Sequence, residues 1–329
     1  MPRAWSLMSR PNGMPMSGDF QLIDLPTVPL ADGEIRIANR WLSVDPYMRG
    51  RMNDVKSYAP PFVLGEPMQG GAIGEVIESR ADQIGVGDMV QHMAGWRDEA
   101  VVPAGQVQKL PALGVPPQAF LGQLGMPGMT AYFGLLTVAG AKPGDTVFVS
   151  AAAGAVGSTV IQIARAKGMT VIGSAGGADK CGWCRSLGAD VMIDYKDEGS
   201  LTKKLLEAAP QGIDVYFDNV GGEHLDAALA AANIHARFAI CGMIDIYNST
   251  KPTELRFLPR IIGARIRIQG FLISDYMAQA ADFYREMGAL LQGGQLKSQE
   301  TVHEGLDAMP EAFLGLFSGG NTGKMLVRV

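Results

Sequence analysis

The sequence has few of the residues that disulfide scaffolds, metal sites and nucleic-acid surfaces need. Three cysteines in 329 residues cannot form a disulfide framework. Lys and Arg number 28 against 33 Asp and Glu, and no basic stripe stands out, which argues against binding to nucleic acid. The four histidines are scattered without ligand spacing: His92, His224, His235 and His303.

Long apolar runs are also missing. No run of about 18 apolar residues occurs, and the opening MPRAWSLMSRPNG lacks the apolar core of a signal peptide. We therefore expect a cytoplasmic protein that binds no membrane. A content of 47% hydrophobic and 19% charged residues is typical of a globular protein, and 329 residues favour about two domains.

Residues 1–120 are predicted to be rich in β-structure. DGEIRIANRWLSVD alternates apolar and polar residues after an Asp-Gly turn signal, and three further short strands follow, punctuated by glycine. This pattern favours a compact β-barrel or sandwich. Pro111, Pro116 and Pro117 mark a boundary, after which the hydrophobic period becomes helical.

From about residue 121 to 295, strand signals alternate with helices. The six strand signals are TVFVS, MTVIGSA, ADVMIDY, GIDVYFDNVG, RFAICGM and RIRIQGFLI. They predict a doubly wound parallel sheet with right-handed crossovers. One of the helices is GEHLDAALAAAN, ending at Asn233. The tail NTGKMLVRV is expected to add one strand to the N-terminal β domain.

The stretch TVFVSAAAGAVGSTVIQIARAKG combines a buried strand, a turn of small residues and a helix. Ala152, Gly154 and Gly157 occupy the three positions of a GxGxxG fingerprint, which aims a helix N-terminus at a pyrophosphate. We therefore predict dinucleotide contacts at Gly154, Ala155, Val156 and Gly157. The alternative is that these small residues serve packing alone.

The end of the second strand bears on the choice of nicotinamide cofactor. An NAD site places an acid there, about 20 residues past the glycines, whereas this strand ends in Gly176-Gly177. Lys180 follows and could pair with a 2′-phosphate, so we predict NADP(H), with Gly176 and Lys180 as cofactor contacts. Asp179 is interpreted as a helix cap. A solvated surface position remains the alternative for Lys180.

These segments resemble the medium-chain dehydrogenase/reductase superfamily. The resemblance rests on GMPGMTAY, SAAAGAVGS, VIGSAGGADK, DYK, DNVGG, CGMIDIYN and NTGKMLV, and on LSVDPYMRGRM and GEPMQGGAIGEV. It covers essentially the whole chain and points to the zinc-independent leukotriene B4 dehydrogenase/prostaglandin reductase branch. It implies a GroES-like domain at 1–121 and 296–329 and a Rossmann NADP(H)-binding domain with a six-stranded sheet at 122–295.

The resemblance also implies further site residues. Met126 and Thr130 would lie along the nicotinamide, and Tyr195 near the adenosine phosphate. The remaining cofactor contacts that it implies are Asn219, Cys241, Gly242, Tyr247, Phe271, Leu272 and Asn321. Tyr58 is a candidate for lining the substrate pocket, and Tyr47 is interpreted as structural. Core packing for Met126 and Phe271, and turn formation for Asn219 and Asn321, remain alternatives.

Zinc ligands are not expected. The zinc-dependent relatives carry Gly-His-Glu near the segment where this chain has Gly65-Glu66-Pro67, and no cysteine precedes residue 180. Cys181 and Cys184 have CxxC spacing but lack a second ligand pair, so we interpret them as ordinary helix residues.

The resemblance and the missing zinc ligands predict hydride transfer from NADPH to the β-carbon of an alkenal or enone. Tyr247 matches the family's tyrosine that stabilises the resulting enolate, together with the cofactor ribose. One alternative is a quinone reductase that uses the same cofactor site. Another is a cofactor-binding protein without turnover. A homodimer is expected from the family.

Overall fold

The computed structural model describes residues 1–329, and the chain separates into two compact units. The first consists of residues 1–121 together with 300–329, and the second of residues 122–299. None of the helices combines the length and the apolar character needed to cross a membrane.

Strands and helices are numbered in chain order. The strands are β1 Arg3–Leu7, β2 Phe20–Asp24, β3 Glu34–Ser43, β4 Ala72–Ser79, β5 Met89–His92, β6 Glu99–Pro103, β7 Gln108–Lys109, β8 Thr146–Val149, β9 Thr170–Ala175, β10 Val191–Asp194, β11 Ile213–Asp218, β12 Ala232–Ile240, β13 Arg267–Gly270, β14 Glu300–Glu304 and β15 Lys324–Arg328. The α-helices are α1 Met48–Arg51, α2 Met126–Phe133, α3 Ala155–Ala166, α4 Ala178–Ser186, α5 Leu201–Ala208, α6 Gly222–Ala231, α7 Arg260–Ala264, α8 Ala280–Gln292 and α9 Met309–Phe317. A π-helical turn, Gly134–Val138, follows α2 directly, and 3₁₀ segments cover Ser17–Asp19, Ala104–Gln106, Pro117–Leu121, Ile244–Ile246, Ile273–Gln279 and Leu306–Ala308.

The first unit is built on a mostly antiparallel seven-stranded sheet. Its strands run in the order β14-β15-β3-β4-β5-β7, and β6 also pairs with β3. The last strand, β15, lies antiparallel to β3 with Leu326 opposite Ser43, which confirms the predicted return of the tail. The core contains Trp96, whose ring centroid lies 5.9 Å from that of Phe20 and 5.8 Å from that of Phe313.

The second unit contains six parallel strands in the order β10-β9-β8-β11-β12-β13, which confirms the predicted sheet. Val147, Phe148 and Val149 of β8 are fully buried, as expected for a strand that helices cover on both faces. The order of the strands reverses between β8 and β11. In such sheets, ligands bind at the carboxyl ends of the strands beside that reversal.

Two local predictions are wrong. Helix α6 ends at Ala231 rather than Asn233, because strand β12 already begins at Ala232, which pairs with Ile213 of the neighbouring β11. Asp179 does not cap α4. The cap position is Gly177, whose N–H donates to the Asp194 carboxylate at 3.0 Å, and Asp179 lies within the first turn.

Candidate functional site

The turn between β8 and α3 is packed as closely as its glycines predict. A Cβ at Gly157 would lie 2.4 Å from the carbonyl oxygen of Ala151 and 2.8 Å from Cα of Ala152, so only glycine fits there. A Cβ at Gly154 would lie 3.2 Å from the same carbonyl oxygen. Ala151 adopts a φ of +47°, a left-handed conformation that costs an alanine energy. The backbone strain therefore lies at Ala151, the residue before Ala152 of the fingerprint.

The start of α3 suits an anion. Ala155, Val156 and Gly157 form its first turn after the cap residue Gly154, and the N–H of Ser158 bonds back to the Gly154 carbonyl at 3.0 Å. The first N–H groups of a helix have no partner within it and carry a partial positive charge. These residues fit a pyrophosphate.

Gly176, Lys180 and Tyr195 come together at the carboxyl end of β9. A Cβ at Gly176 would lie 2.8 Å from the Tyr195 hydroxyl oxygen and 2.9 Å from Cε of Lys196. Partial burial lowers the pKa of Lys180, and the positive charge of Lys196 lowers it further. Two neighbouring ammonium groups suit a phosphate. Lys196 belongs to the DYK motif, but nothing in the sequence placed it beside Lys180.

A buried network joins the carboxyl ends of β8 and β11. The Ser150 hydroxyl donates to Oδ1 of Asp218 at 3.2 Å and accepts the N–H of Asn219 at 2.9 Å, while the Asn219 amide donates to the Ser150 carbonyl at 2.7 Å. The N–H groups of Val220 and Gly221 also donate to Asp218 Oδ1. Burial raises the pKa of Asp218, although these hydrogen bonds oppose the shift. Asn219 thus lies at the carboxyl end of β11, and its amide joins this strand to the end of β8.

Cys241, Gly242 and Tyr247 lie beside this network. The N–H groups of Cys241 and Gly242 donate to the Asp218 carbonyl at 2.9 and 3.1 Å. The Tyr247 hydroxyl oxygen accepts the N–H of Met243 at 3.3 Å. Burial raises the pKa of the Cys241 thiol to about 12, and the charge of Asp218 contributes to the rise, which favours the protonated thiol at neutral pH.

Met126, Thr130, Phe271 and Leu272 also belong to the second unit. The Thr130 hydroxyl donates to the Met126 carbonyl at 2.7 Å, and both side chains lie on α2. Phe271 and Leu272 follow β13 directly. A Cβ at Gly134 would lie 2.5 Å from Cζ of Phe271, so this ring packs closely on the end of α2. The contacts of Phe271 and Leu272 with the cofactor stay a prediction.

Asn321 and Tyr58 belong to the first unit. The Asn321 amide donates to the Gly323 carbonyl at 2.8 Å, in the turn before β15. Tyr58 is mostly exposed and lies near Arg51, whose pKa is lowered by burial. Tyr47 also lies near Arg51, and its buried hydroxyl has no hydrogen-bond partner, which is unusual for a purely structural tyrosine. The interpretation of Tyr47 as structural stays a prediction.

The residues present do not fit a zinc ion. A zinc site needs three or four protein ligands, and no group of three or more His, Cys, Asp or Glu side chains suited to a metal comes together in the chain. Cys181 and Cys184 are buried on α4. Burial raises the pKa of both thiols, that of Cys184 to about 12, as in unreactive structural cysteines.

Comparison with known proteins covers both units. Residues 3–110 match a family described as the N-terminal domain of oxidoreductase, and residues 155–292 match one described as zinc-binding dehydrogenase. The NADPH-dependent curcumin reductase of Escherichia coli is 40% identical over 99% of this chain and 96% of its own length. The 2-alkenal reductase (NADP(+)-dependent) of Nicotiana tabacum is 39% identical over 96% and 94%. The crystal structure of CurA in complex with NADPH from Vibrio vulnificus has 40% identity and a TM-score of 0.95 over 99% of both chains.

Proposed function

Because the chain belongs to the medium-chain dehydrogenase/reductase superfamily, in its zinc-independent prostaglandin and alkenal reductase branch, and is an NADP(H)-dependent oxidoreductase, we propose that it reduces the C=C bond of α,β-unsaturated aldehydes and ketones. The named substrates of the curcumin and alkenal reductases share a C=C bond conjugated to a carbonyl. The observation that carries the proposal is the position of the Tyr247 hydroxyl against the Cys241–Met243 turn, at the carboxyl end of the parallel sheet.

The residues of the second unit fit NADP(H). The first turn of α3 would hold the pyrophosphate, and Gly157 permits the close approach of helix and strand that this needs. Lys180 and Lys196 would hold the 2′-phosphate beside Tyr195. The nicotinamide half would lie along the carboxyl ends of the central strands, near Asn219, Cys241, Gly242, Met126, Thr130, Phe271 and Leu272. The contact of Asn321 with the cofactor stays a prediction from the resemblance.

Tyr247 is the proposed catalytic residue. NADPH, when bound, supplies the hydride that the β-carbon of the substrate receives. Negative charge then develops on the carbonyl oxygen, and the Tyr247 O–H donates a hydrogen bond to it. A proton from water adds to the α-carbon, so that the product is the saturated carbonyl compound. Tyr58, whose side chain is mostly exposed, is the proposed substrate contact.

Absorbance of NADPH in the presence of a substrate panel tests the reaction. The panel contains 2-alkenals, enones, quinones and saturated ketones at equal concentrations. We expect oxidation of NADPH with the alkenals and enones and formation of the saturated carbonyl product. Oxidation with quinones alone would replace the proposal by quinone reduction, and tight NADPH binding without any turnover would indicate a cofactor-binding protein.

A tyrosine substitution tests the mechanism. Tyr247→Phe should lower kcat on the order of 10²-fold, the cost of losing one donor to an oxyanion, while the dissociation constant for NADPH changes little. Tyr284→Phe, on α8, is the matched control and should leave kcat unchanged. An unchanged kcat in Tyr247→Phe would remove Tyr247 from the mechanism.

We further propose that the enzyme is a homodimer joined through β13. This strand forms one edge of the six-stranded sheet, its residues are exposed, and Ile262 nearby is 83% exposed. An uncovered strand edge flanked by apolar side chains favours pairing with another strand. Light scattering should give twice the chain mass, and Ile268→Lys with Ile262→Glu should give the mass of one chain. A wild-type monomer would contradict the proposal.

A cytoplasmic location is proposed as well. Its support is that all three cysteines are free thiols, as in proteins of a reducing compartment. Fractionation of the producing cell, with antibody detection of the chain, would locate it.

A further inference from the structure

The segment that carries Tyr247 is fastened at its upstream end to the turn between β11 and α6. The N–H of Ile244 donates to the Asn219 carbonyl at 3.3 Å, and the N–H of Asp245 donates to the Val220 carbonyl at 3.1 Å. Two backbone hydrogen bonds therefore fix where the segment leaves the sheet.

The downstream end of the same segment is fastened by one side chain of α6. Asp226 is only 2% exposed, and its Oδ1 accepts the N–H of Phe257 at 2.9 Å while its Oδ2 accepts Nε of Arg256 at 3.0 Å. Hydrogen bonds to an ionised carboxylate are about twice as strong as neutral ones. The Asp226 carboxylate therefore ties Arg256 and Phe257 to α6.

Between these two ends the segment borders a polar pocket of about 470 Å³ that is open to solvent. Its lining includes Asp226, Asp245, Ser249, Lys251, Thr253 and Arg256. A segment that borders open space is constrained less by its neighbours than a segment in a packed core. The position of Tyr247 consequently depends more strongly on the hydrogen bonds at the two ends of the segment.

We propose that Asp226 is a positioning residue for Tyr247. Its carboxylate fixes the downstream end of segment 244–257 and thereby the place at which the Tyr247 hydroxyl is held against the Cys241–Met243 turn. The inference deepens the proposed function and rests on it, because a hydrogen-bond donor in a reaction must be held within about half an ångström of its place.

A double-mutant cycle tests this role with kcat for an enone as the readout. Asp226→Asn keeps an acceptor for the Phe257 N–H but removes the charge that holds Arg256. We expect kcat to fall about tenfold, within the range that a small misplacement costs, while KM for NADPH changes less than twofold. In a Tyr247→Phe background, Asp226→Asn should change kcat less than twofold. Equal losses in both backgrounds would show that Asp226 acts independently of Tyr247 and would overturn the proposal.

A second readout does not depend on turnover. In protein labelled with 3-fluorotyrosine, the ¹⁹F resonance of Tyr247 is assigned from its absence in Tyr247→Phe. It should shift in Asp226→Asn, and an unshifted resonance would overturn the proposal even if the wild type proved inactive toward enones. Inactive wild type with a shifted resonance would instead count against the proposed function alone.

Two further variants complete the test: one replaces Asp226→Asn if that variant does not fold, and the other is a control. If Asp226→Asn does not fold, Arg256→Gln removes the same ion pair from its exposed side, and it should shift the resonance in the same way. The matched control is Arg285→Gln, which breaks an exposed ion pair with Asp282 on α8. It should change neither kcat nor the Tyr247 resonance.

Discussion

Ser150 and Asp218 lie 68 residues apart in the chain, yet the Ser150 hydroxyl donates to Oδ1 of Asp218 at 3.2 Å. Both residues are fully buried, and the same hydroxyl accepts the Asn219 N–H. This pair joins β8 to β11 at the point where the strand order reverses, so the geometry of the proposed nucleotide site depends on it.

Ser150→Ala should therefore weaken both stability and NADPH binding. It leaves the Asn219 N–H without its acceptor, and a buried unsatisfied group costs about 1–3 kcal/mol. Urea unfolding and fluorescence titration with NADPH measure the two effects. Ser186→Ala, on the exposed face of α4, is the control and should change unfolding by no more than about 0.5 kcal/mol. Wild-type stability and affinity in Ser150→Ala would show that the network is dispensable.

Gly157 and Gly154 should respond differently to alanine. The Cβ of Gly157→Ala would approach backbone atoms of Ala151 and Ala152 at 2.4 and 2.8 Å, so β8 and α3 must separate. We expect a large fall in melting temperature and loss of NADPH binding. Gly154→Ala meets only one atom, at 3.2 Å, and should fold with a nearly unchanged melting temperature. Similar melting temperatures for the two variants would contradict the packing argument.

Lys180 and Lys196 should set the preference for NADPH over NADH. Lys180→Met with Lys196→Met removes both charges from the proposed 2′-phosphate site, and each lost contact to a charged group is worth about 1.5–3 kcal/mol. KM for NADPH should rise at least tenfold while KM for NADH stays constant. Lys203→Met, an exposed lysine near Glu207, is the control. An equal rise in KM for NADPH and for NADH would show that the two lysines do not contact the 2′-phosphate.

The ion pair between Lys324 and Asp45 is buried in the first unit. Nζ of Lys324 donates to Asp45 Oδ1 and to the Val44 carbonyl, both at 2.8 Å. Lys324→Met leaves the Asp45 charge unpaired and should cost about 3–5 kcal/mol of unfolding free energy. The double variant Lys324→Met with Asp45→Asn removes both charges and should regain most of that loss. Denaturant titration measures both, and equal losses would mean that charge pairing is not the cause.

His224 should make the protein sensitive to acid. Burial lowers its pKa from 6.5 to about 4, and its Nε2 has no partner. Because the pKa of the folded state lies below that of the unfolded state, stability is complete above about pH 6.5 and falls as pH drops toward 4, by up to about 1.4 kcal/mol per pH unit. In His224→Leu this part of the slope should disappear, leaving that of His92, whose pKa is likewise lowered to about 4. Unfolding at several pH values measures the slopes, and equal slopes would contradict the prediction.

The features that the sequence predicted best are those that depend on residues close together in the chain. The strand Val147–Val149 and the close-packed Gly157 follow from short periodicities and turn chemistry, and the six-stranded sheet followed from repeated strand signals. Lys196 was missed because its place beside Lys180 depends on the register of β10 against β9. The pairing of Asp226 with Arg256 spans 30 residues and has no local signature.

The antiparallel pairing of β15 with β3 also has a consequence for biosynthesis. Residues 122–299 are synthesised before residues 300–329. At about 5–20 residues per second, the synthesis of residues 122–299 takes on the order of ten seconds or more. Until then, Trp41, Leu42 and Ser43 lack the partners that β15 later provides. An unpaired strand edge attracts other chains. The first unit consequently cannot complete its sheet until the last strand has been made, whereas the second unit, which is contiguous in the chain, can complete its sheet while translation continues.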